Sequence, residues 1–339
     1  MRGMVVFGME RRIDLDQAKG LAIMLVVFGH LVARADPVGV EWYEPLRRAV
    51  YAFHMPFFFY LSGLVSVLTG AAMAAPGRWR GLLKARAWRL QVPCFGIGLL
   101  SVLGKWGAAH FMFVDHAPKS VAAGIASLVW HTADSADGSI WYLFVLFVVS
   151  VSTPVLLWAD GGRLRLLVAV ATGLYFLPLP PYVYADHVGR YAIFFVAGVW
   201  AGRQGAAWTG FIDAHYRGLI VLLAVALLMV AVFGAHWPVA VVLLPVGLLS
   251  MPALHGFVRH RGAGFGQVFH WLGRYCFMIY LFNTIFIGLT KGVLLRFISW
   301  DGPHFMLFAV ALMVAGVMLP VALKFYLLNR VPVLRRLTD

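Results

Sequence analysis

The sequence predicts an all-α, polytopic integral membrane protein, and three observations carry that reading. Apolar residues make up 62% of the 339-residue chain and charged residues only 12%, against roughly 45–50% and 25% in soluble domains. The mean hydropathy is +0.83. About ten runs approach the ~20 apolar residues with which a helix crosses roughly 30 Å of hydrocarbon. The 28 Lys and Arg outnumber the 14 Asp and Glu, for a net charge of +14. Such a balance also suits nucleic acid, but the cations stand in short clusters between apolar runs, so no nucleic-acid partner is expected. Cys94 and Cys276 both fall in apolar segments, which argues against a disulfide framework or a zinc site. No internal repeat and no detachable soluble domain is visible. Residues 1–339 therefore read as one membrane domain, with tails at 1–11 and 329–339.

The predicted spans lie near 19–35, 51–72, 90–112, 139–159, 163–181, 190–204, 217–235, 237–256, 272–294 and 304–328. Pro76-Gly77, Gly161-Gly162, Pro180-Pro181, Gly234 with Pro238, and Gly302-Pro303 punctuate them. The tight boundaries after 159 and near 236 suit hairpins. Val121 to Trp130 is too short to span and fits an interfacial or re-entrant segment. With ten spans and an inward N-terminus, 20 of the 28 Lys and Arg fall on the inside and seven outside. Segment 74–89 weighs most, with five cations and no acid. Both termini are thus expected in the cytoplasm. No small-residue cleavage site follows the first run, so it is kept as a helix, and Met9 would serve as a start as well as Met1.

The first span holds the most informative pattern. Lys19 and His30 are eleven residues apart, close to three turns at about 100° per residue, and Asp16 lies roughly 40° away on the same face. The rise from Lys19 to His30 is about 16 Å, which sets His30 near the midplane. An ionisable group at that depth faces a cavity or a partner; a packed, hydrogen-bonded histidine fits the same pattern. The second span opens with His54-Met55-Pro56 and runs through Phe57 to Leu61-Ser62-Gly63, which suits close packing or a break in the ladder. Before Pro93, Arg86 and Arg89 are neighbours on one helical face. Paired guanidinium groups suit phosphate, and the positive-inside rule alone also accounts for them. Trp141-Tyr142-Leu143 at the outer face fits an interfacial belt or a sugar-stacking surface. Gly273-Arg274-Tyr275 leads to Tyr280 and Asn283, a buried amide that needs a partner.

In this order, from about Arg12 to Arg330, these segments resemble the acyltransferase family 3 membrane proteins, which O-acylate bacterial surface glycans. The family's arginine, ten residues, then histidine matches Lys19 and His30. Its aromatic run into Leu-Ser-Gly matches Phe57 to Gly63, its Arg-two-residues-Arg before a proline matches Arg86, Arg89 and Pro93, and Trp141-Tyr142-Leu143, Gly273 to Leu281, and Arg190-Tyr191 leading to Phe194-Phe195 and Gly198 are similar too. Two departures stand out. Lys19 keeps the charge of the usual arginine without its planar fork, and Asn283 stands where many members have a histidine.

The resemblance implies an enzyme that takes an acyl group, most often acetyl, from cytoplasmic acyl-CoA and delivers it to a carbohydrate hydroxyl. It implies a location in the bacterial inner membrane, with the lipid bilayer and polysaccharide-synthesis machinery as partners and no permanently bound cofactor. His30, with Lys19 and Asp16 tuning its face, would act as general base or transient acyl carrier. Arg86, Arg89 and Arg12 would hold coenzyme A, while His54, Ser62, Trp141, Tyr142 and Arg190 would line the acceptor side. No extracytoplasmic hydrolase-like domain follows the last span, so hand-over is expected within the membrane part or through a partner. The competing reading is a transporter of an acylated sugar, a lipid-linked precursor or a proton-coupled solute, with Lys19, His30, Lys105 and Arg190 along its path. A scaffold within a polysaccharide synthase is a third. The 110–138 segment, with Asp115, His116, Asp134 and Asp137, is expected to face the acceptor.

Overall fold

The structure, a computed structural model, describes residues 12–32, 38–111, 114, 117–135, 138–261, 263–332 and 334–335. The tail at 1–11, Arg34, Asp115, His116 and Asp137 lie outside the described residues. Among the described residues the chain forms helices and no strand, with isolated bridges pairing Val38 with Asp301 and His131 with Tyr182.

Helix α1 (Ile13–Gly29) begins and ends about one and a half turns earlier than the apolar run suggests. Asp14 and Asp16 in its first turn favour the positive end of the helix dipole. At its other end, the Tyr43 and Tyr51 hydroxyls donate to the Phe28 and Gly29 carbonyls at 2.7 and 3.1 Å. Carbonyls orphaned at the helix end thereby find partners. Both tyrosines belong to α2 (Tyr43–Tyr51), which turns at Ala52–Phe53 into α3 (His54–Leu68). Pro56 sits in the first turn of α3, where a missing N–H costs nothing.

Next, α4 (Trp79–Arg86) passes through a π-helical turn at Ala87–Gln91 into α5 (Val92–Ala108). Pro93 explains the wide turn: it cannot bond the Arg89 carbonyl four residues back, and its ring would clash with it. The short apolar stretch near 121 is α6 (Val121–Val129), its N-terminus capped by the Ser120 hydroxyl. Gly161 and Gly162, both with positive φ, turn α7 (Trp141–Ala159) into α8 (Arg165–Phe176). There follow α9 (Ala185–Gln204), α10 (Ala206–Phe233) and α11 (Val239–Arg259). The run expected at 272–294 is broken at Tyr275 into α12 (Ala263–Arg274) and α13 (Cys276–Leu294), and α14 (Phe305–Tyr326) follows.

Among the described residues, seven stretches are long and apolar enough to cross a membrane: Tyr43–Leu68, Pro76–Ala108, Trp141–Ala159, Ala206–His236, Val239–Arg259, Cys276–Leu294 and Phe305–Arg330. Three of the ten expected spans are not in that set. Helix α1 has 17 residues and carries Asp14, Asp16 and Lys19, α8 has 12, and α9 carries Asp186, Arg190 and Arg203. The core lies between α1, α3, α7, α9 and α13, around Phe57, Phe59, Tyr60, Phe194 and Phe195. Helix α10 instead turns Val221, Leu222, Val225 and Leu228 outward, a lipid-compatible face.

Two close crossings position the site. A Cβ on Gly63 would lie 2.0 Å from the Phe195 carbonyl oxygen, and one on Gly198 would lie 2.1 Å from that of Tyr60. Helices α3 and α9 therefore meet backbone to backbone. Gly20 against Phe269 and Gly273 against the Asp16 carbonyl, each at 1.9 Å, do the same for α1 and α12.

Candidate functional site

The α1–α12 crossing brings Arg274 beside Asp16 and Lys19, at the side of a half-open cavity of about 990 Å³. Six cations line it: Lys19 of α1, Arg86 of α4, Arg89 of the π turn, Arg274 of α12, Lys324 of α14, and Arg335. Asp16 is the acid among the lining residues. Its carboxylate lies 3.9 Å from Lys19 Nζ and 3.9 Å from His270 Nδ1. The other wall is apolar and hydroxylic, with Phe58, Leu61, Val65, Tyr142, Leu146 and Tyr280. Ser62 Oγ and Tyr142 Oη hydrogen-bond at 2.8 Å across it. Cys276 also lines the cavity; it and Cys94 are free and buried. Guanidinium forks facing one space suit a polyanion with phosphate groups, and the apolar wall suits an uncharged arm. Among the described residues no cluster of His, Cys, Asp or Glu could hold a metal ion.

His30 does not line this cavity. It caps the C-terminus of α1, and its Nδ1 lies 2.7 Å from Oδ1 of Asn283. Asn283, fully buried on α13, also donates through Nδ2 to the carbonyls of Ile279 and Tyr280, both at 2.8 Å. Tyr280, a cavity residue, is thus one helical turn from the side chain that holds His30. His54 is close enough to interact electrostatically with His30. Its own Nδ1–H donates to the Val50 carbonyl at 2.9 Å, and its ring packs edge-on against Tyr51 at 4.9 Å.

The remaining expected residues form a separate group. Trp141 packs at a tilt against Tyr191 (4.7 Å) and His187 (4.5 Å) and stacks on Phe59 (6.1 Å). His187 bonds Asp186 at 2.9 Å. Arg190 is half-buried on α9, in the electrostatic reach of Tyr175 and Tyr191. The fold thus gathers Lys19, Asp16, Arg86, Arg89, Ser62 and Tyr142 at one cavity, and leaves His30 with His54, and Trp141 with Arg190, outside its lining.

Arg12 lies elsewhere. It forks onto Asp14 at 2.7 and 3.1 Å, a hydrogen bond that raises the guanidinium's already high pKa. Together they line a second opening of about 600 Å³ with Thr209 and Arg259. A network unforeseen from the sequence starts there. Arg259 donates to Asp14 at 3.1 Å and grips Asp213 through two bonds at 2.7 and 2.8 Å. His255 Nε2 lies 3.4 Å from Asp14 and its Nδ1 2.8 Å from the Tyr60 hydroxyl, which accepts from Trp208 at 2.7 Å. These partners are 40 to 250 residues apart, so no local spacing could reveal them. Arg274 was visible in the Gly273-Arg274-Tyr275 element without a role assigned to it, and Lys324 only as a cation flanking a span.

A family model described as an acyltransferase domain matches residues 12–324. Over 59 residues the chain is 39% identical to the nodulation protein NolL of Mesorhizobium japonicum, and equally to the nodulation protein NolL of Sinorhizobium fredii. Each match covers 17% of this chain and spans 16% of the relative's length. No solved structure matches the chain. With the domain match running from the start of α1 into α14, this chain belongs to the acyltransferase 3 family.

Proposed function

We propose that the chain is a membrane O-acyltransferase that moves an acyl group, acetyl first among the candidates, from cytoplasmic acyl-CoA to a hydroxyl of a cell-surface or exported carbohydrate. The observation that carries this reading is the cavity in which Lys19, Arg86, Arg89, Arg274 and Lys324 converge on one space. In this reading the charged end of coenzyme A sits among those cations, and its uncharged arm follows the apolar wall of Phe58, Leu61 and Tyr280 toward the outer half of α1. The distance along α1 from Lys19 to His30 is about 16 Å, a span that suits an extended pantetheine arm. Arg12 has its partners at the other opening, so Arg86 and Arg89 carry the larger share of binding.

His30 supplies the base. The acceptor oxygen attacks the thioester carbonyl as the imidazole takes its proton; the tetrahedral adduct then expels the thiolate, which recovers the proton from the imidazolium. A route in which the ring first carries the acyl group uses the same nitrogen chemistry. His54, Ser62, Trp141, Tyr142 and Arg190 serve the acceptor side, and the aromatic shelf of Trp141 and Tyr191 is of the kind that stacks on sugar rings. The same proposal includes ten spans, both termini in the cytoplasm, residence in the bacterial inner membrane, and association with polysaccharide-synthesis machinery.

The test is transfer from labelled acetyl-CoA by purified protein in detergent, with glycans of the native host as acceptor. Wild type should turn over without a membrane gradient, and His30→Ala, expressed at the normal level, should lose transfer. Normal transfer by that variant would remove His30 from the chemistry. Gradient-dependent solute movement without turnover would favour the transporter.

A further inference from the structure

We infer that Asn283 is a positioning residue that holds His30 in a single tautomer, with the proton on Nδ1 and the accepting lone pair on Nε2. The inference rests on the reading of His30 as the base. It follows from the hydrogen bonds that the buried amide makes. Asn283 Nδ2 faces two backbone carbonyls, those of Ile279 and Tyr280, at 2.8 Å each. Carbonyl oxygens only accept, so the group facing them must be the NH2, and both of its protons are used there. Turning the amide over would set its oxygen against two carbonyl oxygens in a site closed to water. The atom that meets His30 Nδ1 at 2.7 Å is therefore the amide oxygen. An amide oxygen carries no proton, so Nδ1 must donate and Nε2 is left as the basic nitrogen of the neutral ring.

An orienting group acts on a histidine base in two ways. It removes the population of rings that carry their proton on the reacting nitrogen, and it fixes the plane in which that nitrogen is presented. Asn283 differs from an orienting carboxylate in one respect. It is neutral, so it stabilises the imidazolium only as a dipole and does not pull the ring toward permanent protonation. Among the described residues, the ionisable and charged groups around this end of α1 include Tyr43 and Tyr51 of α2, Arg47, which donates to the Val32 carbonyl and pairs with Glu44, and His54 of α3. The acceptor facing the Nδ1 proton is the Asn283 oxygen, so the tautomer is set from α13.

The experiment compares Asn283→Leu, Asn283→Asp and His30→Ala with wild type, in the acetyl-transfer assay across a range of pH and with detergent-stable monodisperse protein as the entry criterion. Asn283→Leu keeps the branched shape, adds some bulk and loses the acceptor. It is expected to lower kcat by roughly 10- to 100-fold, on the scale of other orienting partners, while KM for acetyl-CoA stays within about twofold, since uniform binding is untouched. Asn283→Asp restores an acceptor and adds a charge. It should retain more activity than Asn283→Leu, with the acidic limb of kcat/KM moved to higher pH, because a carboxylate favours the protonated ring. Wild-type kcat and an unmoved pH profile in both variants, with His30→Ala inactive, would overturn the inference and leave the base assignment standing. An active His30→Ala would instead overturn the base assignment itself. Should Asn283→Leu fail the entry criterion, the limb position in Asn283→Asp decides alone.

Discussion

Arg86, at the end of α4, and Arg89, within the π turn before Pro93, both line the same cavity. A guanidinium offers a planar fork to a phosphate, whereas an ammonium offers a point charge. Arg86→Lys is therefore expected to raise KM for acetyl-CoA roughly three- to tenfold with kcat nearly unchanged, and Arg86→Ala roughly ten- to a hundredfold, the worth of one charge-assisted hydrogen bond. Steady-state kinetics with varied acetyl-CoA checks both; an unchanged KM in Arg86→Ala would place the nucleotide elsewhere. At this scale the sequence was most informative. The 19-to-30 spacing, the Arg pair and Ser62-Gly63 were legible because each is local. Asn283 was legible only as a buried amide in want of a partner, since its partner lies 253 residues away.

At the scale of elements, small residues decide where helices meet. Gly198 lets α9 rest on the backbone of α3, and a Cβ there would sit 2.1 Å from the Tyr60 carbonyl. Gly198→Val is expected to cost about 1–3 kcal/mol by overpacking, read as a lower Tm in detergent. It should also lower transfer activity, because Ser62 and Tyr60 move with α3. An unchanged Tm would mean that the two helices part without penalty. Apolar runs marked every major helix, and their lengths misplaced some ends. The run from 272 to 294 reads as continuous, yet Gly273 must touch the Asp16 carbonyl of α1, and the chain turns at Tyr275 to make that contact. A tertiary demand of this kind leaves no trace in hydropathy. The same holds for α1, whose end is set by hydroxyls from the next helix.

For the whole molecule, orientation in the bilayer follows from where the cations lie. Segment 74–89 holds five of them and should face the cytoplasm. The native thiols Cys94 and Cys276 are buried, so single cysteines report cleanly. In intact cells an impermeant maleimide should label Lys119→Cys, and should label Gly81→Cys only after permeabilisation; the reverse pattern would invert the topology. Fold class and the basic mouth could be read along the chain. The Asp14, His255, Tyr60 and Trp208 network could not, since it joins four helices. Like charges drawn from the first helix, from residues 86–89, from α12 and from the last described residues repel one another across the basic cavity. A nucleotide entering there would act as a clasp, pulling distant stretches of polypeptide together and raising the stability of the bound form.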